Sequence, residues 1–124
     1  LLNEFNEDSI GFLLKSRILI IGAGGLGCPA ALYLATAGVK NIRWVDPDKV
    51  DISNLPRQIL FSENDLNFPR VIVGKRILKK LVPAVDVDAI EEKADETNMN
   101  KLVSDCNIVL DCTDRFKTRH VINK

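Results

Sequence analysis

The chain is 124 residues long, 46% hydrophobic and 27% charged, which suits one globular α/β domain with a modest core and leaves no room for a second. Lys plus Arg and Asp plus Glu both number 17, so the overall field offers nothing to nucleic acid or an acidic membrane, and any cationic site must be local. No apolar run approaches the roughly 18 residues of a membrane span; Cys28, Cys106 and Cys112 with the single His120 make no zinc set, and their odd number points to the cytoplasm rather than a disulfide framework.

In chain order, LLNEF starts without a methionine and reads as a cut end. RILIIG (17–22) is a nearly continuous apolar run, the pattern of a strand covered on both faces. It breaks into GAGGLG, after which Leu26, Ala30, Leu34 and Ala37 recur at helical spacing until Gly38 supplies a stop. IRWVD (42–46) is a second strand, with Trp44 expected in the core, and a long polar loop, DPDKVDISNLPRQILF (46–61), follows it. A second helix is predicted from about Pro69, with Val71, Leu78 and Leu81 on one face and Pro83 beyond its end. Gly74 inside that helix costs about 1 kcal/mol of helix propensity. VDVDAI (85–90) is a third strand, a short helix runs from Asp95 or Thr97 to Ser104, and NIVLDC (107–112) is a fourth strand. The closing INK reads as the inside of a further helix and a second cut end.

Strands alternating with helices predict a Rossmann-like, doubly wound, mainly parallel α/β sheet over residues 1–124, incomplete at both ends, with strand order 3-2-1-4. The apolar fourth strand then lies at an edge and is a template for further pairing, so the chain reads as part of a larger sheet in which something covers that edge, and a homodimer is expected.

The glycine loop is where chemistry enters. Gly22 permits the tight turn, Gly24 and its neighbour Gly25 let backbone approach a phosphate, and Gly27 allows close helix–strand packing. Asp46 closes the second strand at the distance where an acid accepts hydrogen bonds from ribose hydroxyls. These residues indicate a nucleotide without saying which, since an NAD-dependent oxidoreductase carries the same glycines and acid. The polar loop discriminates: it places Asn54, Arg57 and Gln58 near the same crevice, a donor set suited to a triphosphate.

GxGGLG, then D-x-D with SNLxRQ, then DCTD, over nearly the whole chain, resembles the ThiF/MoeB/HesA family, relatives of the ubiquitin-activating enzymes. The resemblance implies ATP-dependent adenylylation of the C-terminal glycine carboxylate of a ubiquitin-like sulfur-carrier protein. It assigns ribose to Asp46, phosphates to Asn54, Arg57 and Gln58, and Mg2+ to Asp114. Asp114 reads equally as a helix N-cap, Arg57 as a solvated loop charge, and Asp48 and Asp51 as turn formers without a chemical role. Asp111 either assists the magnesium site or orients its loop, while Cys28 and Cys112 read as small packing residues.

The sequence also departs from the family pattern. The catalytic lysine of a P-K pair falls on Arg70, where a planar fork replaces a compact ammonium. Lys75 faces elsewhere, and Arg115 stands where an asparagine is expected after DCTD. An upstream arginine has no counterpart in LLNEFNEDSIGFLLKSR, and the crossover-loop cysteine and paired CxxC ligands of many members would fall beyond Lys124. Two further readings therefore stand beside the enzyme: a degenerate member that only binds nucleotide or partner, and a peptide-modifying adenylyltransferase.

Overall fold

The computed structural model describes residues 7–24, 27–51, 61–113 and 121–123. A five-stranded sheet, in the order β3-β2-β1-β4-β5, forms the centre. Its strands are β1 (Arg17–Ile21), β2 (Asn41–Val45), β3 (Asp86–Ile90), β4 (Ile108–Asp111) and β5 (Val121–Asn123), and the helices are α1 (Glu7–Lys15), α2 (Gly27–Ala37), α3 (Arg70–Leu81) and α4 (Met99–Val103). β1 pairs in parallel with β2 and β4, and β2 with β3.

Alternation along the parallel strands sorts the core into two layers. Ile18, Ile20, Ile42 and Trp44 pack with Ala31, Leu34 and Ala35 of α2 and Val71 and Leu78 of α3. Leu19, Ile21, Val45 and Val109 pack on the opposite face with Leu102 of α4. Helices thus cover both faces, which is why β1 and β4 read as nearly continuous apolar runs. Arg43 on β2 ties the α4 layer down: Nη1 donates to the carbonyls of Leu102 and Ser104 at 2.7 and 2.8 Å, and Nε donates to Asp88 of β3 at 2.9 Å. Among the described residues no helix is long and apolar enough to cross a membrane.

Several expectations need correction. β4 is not an edge: β5 pairs with it antiparallel, with Ile108 opposite Asn123 and Leu110 opposite Val121. The segment read as the inside of a helix is therefore a strand, since an apolar edge is relieved by a returning strand, and the expectation of a homodimer loses that premise. α1 was not anticipated. Its Leu13 and Leu14 pack against the first core layer, and Ser16, buried just past its end, donates Oγ–H to the Phe12 carbonyl at 2.6 Å. The buried face of α2 is rotated from the predicted one, while that of α3 keeps the predicted Val71 and Leu78 but not Leu81. On α2 the covered positions are Cys28, Ala31, Leu34 and Ala35, and on α3 Leu81 is 58% exposed while Val73 and Gly74 are buried.

Candidate functional site

From β1 the chain winds through α2, β2 and α3 to β3 on one side, whereas β4 lies on the other side of β1. The carboxyl ends of β1 and β4 therefore flank the point where winding reverses, the place where open α/β sheets bind ligands. A cavity of about 350 Å³ opens there, lined by Ile21, Gly22, Asp48, Lys93, Ala94 and Thr113 among others. A larger one of about 680 Å³ continues past Ile21, Ala94 and Thr113 toward Asp95, Met99 and Asp111. The smaller cavity touches the glycine turn and is the better candidate for phosphate chemistry; the larger, mostly apolar one has room for a ring system.

Gly22 leaves β1 with φ +108°, and a Cβ there would lie 3.0 Å from the Cys112 carbonyl oxygen, so only glycine fits. Its N–H donates to the Val45 carbonyl and its carbonyl accepts from Trp44 Nε1, each at 2.8 Å. Gly27 opens α2 directly against that same Gly22 carbonyl, with no space for a side chain. Ala23 N–H donates to Asp46 Oδ2 at 2.7 Å, and Asp48 N–H to Asp46 Oδ1 at 2.8 Å. Both oxygens of Asp46, 4% exposed, thus hold backbone. Burial pushes its carboxyl above the ordinary range, opposed by the N–H groups of Asp48 and Ala23 and by the Arg70 cation.

Arg70 is the first residue of α3. Its Nη1 lies 4.0 Å from Asp46 Oδ2 and its Nη2 3.4 Å from Asp48 Oδ2. Backbone staples fix this approach: Arg70 N–H donates to the Asp48 carbonyl, Val50 N–H to that of Phe68 and Asn67 N–H to that of Val50, at 3.0, 2.8 and 2.9 Å. Cys28 Sγ–H donates to the Ala23 carbonyl at 3.1 Å, and burial pushes its thiol up to about 12, so it is an unreactive packing group. Asp111 Oδ1 accepts from the Thr113 N–H and hydroxyl at 3.0 and 2.8 Å, and so shapes the turn after β4.

Of the residues singled out from sequence, Gly22, Gly24, Gly27, Asp46 and Arg70 lie around one turn. Gly25, Asn54, Arg57, Gln58 and Asp114 lie outside the described residues. Asp48, which reads from sequence as a turn former, also lines the crevice and meets Arg70. The D-x-D spacing hinted at it, but the partner 22 positions away on another element did not.

A doubly wound sheet with a glycine turn at its switch point and an acid closing β2 defines a domain of Rossmann-like fold. The model of the ThiF family matches residues 1–124, and the chain belongs to that family. It is 43% identical over 99% of its length to the sulfur carrier protein ThiS adenylyltransferase of Escherichia coli, covering 49% of that protein. It is 39% identical over its whole length to the molybdopterin-synthase adenylyltransferase of Haemophilus influenzae, covering 51%. With the SAMP-activating enzyme E1 of Haloferax volcanii it shares 37% identity over 99% of the chain and 46% of the relative. The chain thus spans about half the length of these curated relatives. Among solved structures, E. coli MccB with ATP superposes with a TM-score of 0.77 at 32% identity, covering 86% of this chain and 31% of MccB. The E. coli tRNA N6-threonylcarbamoyladenosine dehydratase TcdA, at 24% identity and TM-score 0.80, shares the fold.

Proposed function

We propose that the protein is an ATP-dependent adenylyltransferase that activates the C-terminal glycine carboxylate of a ubiquitin-like sulfur-carrier protein, and that these 124 residues supply its nucleotide-binding part. The observation that carries the reading is the backbone-latched glycine turn at the switch point of a ThiF-family sheet. A carrier carboxylate oxygen attacks the α-phosphorus of ATP, the bond to the β,γ-phosphates breaks, and an acyl adenylate and pyrophosphate result. No protein nucleophile is needed, in keeping with the inert Cys28; positioning and charge stabilisation do the catalysis.

In this reading the glycine turn and the start of α2, with its positive dipole end, face phosphate. Asn54, Arg57 and Gln58 donate to the phosphate oxygens, and Asp46 accepts from the ribose hydroxyls with the lone pairs left by the Ala23 and Asp48 N–H groups. Asp111, at the end of β4 on the crevice wall, offers oxygen donors only, which fits a hard cation such as Mg2+ held with Asp114. Mg2+ would neutralise phosphate charge there. A cytoplasmic homodimer completes the proposal.

ATP–pyrophosphate exchange by the full-length protein with sulfur-carrier proteins tests it. Exchange should be carrier-dependent, and Arg57→Ala should lower it about 100-fold or more, on the scale of one lost preorganised donor, with a much smaller loss of ATP affinity. Calorimetric preference for NAD over ATP, or no exchange with any sulfur carrier, would overturn it.

A further inference from the structure

Arg70 stands where the family resemblance places a lysine, and its surroundings give the guanidinium a task other than facing phosphate. We propose that Arg70 is a positioning residue: it bridges Asp46 and Asp48 and thereby keeps the Asp46 carboxylate fastened to the Ala23 N–H, fixing the glycine turn from the start of α3.

The chain of contacts is continuous. Nη1 faces the Asp46 oxygen, Oδ2, that accepts the Ala23 N–H, while Nη2 faces Asp48, whose own N–H is held by Asp46 Oδ1. One planar group thus meets two carboxylates with two nitrogens, where an ammonium would offer a single nitrogen to both. The Arg70 side chain is 13% exposed, and its Nε is buried without a partner among the described residues. A buried donor left unmet is costly, so its tolerance here indicates that the two carboxylates set the orientation of the fork. The charged and titratable groups that act on Asp46 are Arg70 from α3, Asp48 from its own loop and Cys28 from α2.

Asp46 is buried and therefore prone to take up a proton. A protonated Asp46 keeps one full acceptor oxygen and cannot hold both the Ala23 and Asp48 N–H groups as tightly. Arg70 opposes that protonation. The consequence for nucleotide affinity rests on the adenylyltransferase reading, whereas the latch itself can be observed without nucleotide.

The Ala23 amide resonance of the full-length protein, followed by NMR between pH 4 and 8 in the absence of ATP, reports the latch. Arg70→Met should move its titration midpoint upward by about 1–3 pH units, the scale of one lost counter-charge, and Arg70→Lys by less. Asp48→Asn removes a like charge and should move it downward, which keeps the test open if Arg70→Met fails to fold. ATP affinity of Arg70→Met at pH 7 should fall about tenfold and recover toward pH 8.5. An Ala23 midpoint unchanged in the folded variants would overturn the latch. Shifted midpoints in a protein that binds no ATP would sustain the latch and sink the adenylyltransferase reading instead.

Discussion

Asp65 sits in a single 3₁₀ turn, Glu63–Asp65, yet it is a buried carboxylate, 4% exposed. Oδ2 accepts the Ser62 N–H at 2.9 Å and Oδ1 accepts Arg76 Nη2 at 2.7 Å. Burial pushes its carboxyl up, but the Ser62 backbone and Arg76 outweigh that and hold it below the ordinary carboxylate range. A depressed value means that its contribution to stability is present above the unfolded-state value, about 3.9, and disappears as pH falls through the folded-state value. Asp65→Asn should therefore cost roughly 1.5–3 kcal/mol at pH 7, the scale of hydrogen bonds to a charged group. Urea unfolding at pH 7 and pH 3 would check this, with the gap between variant and parent closing at the lower pH. Because Asn67, two residues on, pairs with Val50, this carboxylate also supports the loop that carries Asp48 toward Arg70.

At the level of elements, α3 and β2 meet at Gly74 and Trp44. A Cβ on Gly74 would lie 2.5 Å from the Trp44 ring, which is fully buried and held by its Nε1–H to the Gly22 carbonyl. Propensity alone favours Gly74→Ala by about 1 kcal/mol. Overpacking opposes it by about 1–3 kcal/mol, and Trp44 is pinned and cannot swing away. Gly74→Ala should therefore lower the unfolding free energy by up to about 2 kcal/mol, read by denaturant titration; a stabilised variant would show that α3 can slide. The same pair shows what sequence could reveal. The four parallel strands and α2 and α3 were legible because their apolar residues recur with the period of the element. The exact buried faces were not, because at Gly74 a missing side chain makes the contact. α1 escaped notice because its apolar residues fill a gap left by others, and β5 because three residues declare a strand only through their partner. In the site, Gly22 and Asp46 were legible from spacing along β1 and β2, whereas the meeting of Asp48 with Arg70 depends on backbone pairing between two distant loops.

For the whole molecule, the sheet protects its two sides differently. β3 presents exposed Asp86 and Asp88, charges that discourage pairing with another chain, while β4 is apolar and covered by β5. A chain stopped at residue 120 should therefore self-associate further, with light scattering at about 100 μM reporting species larger than the parent forms; equal masses would mean that β4 needs no cover. The central place of β1 carries a consequence for synthesis. Arg17 N–H is bonded to the side chain of Asn107, 90 residues later, and Ile18 pairs with Ile108. At translation rates of about 5–20 residues per second, β1 waits roughly 5–18 s for β4 to be made. Throughout that wait one rim of a largely apolar strand stands open on the ribosome, and the ligand crevice has only one wall. Rare codons between residues 90 and 107 would lengthen this window, making yield of soluble protein sensitive to nucleotide changes that leave every amino acid unchanged.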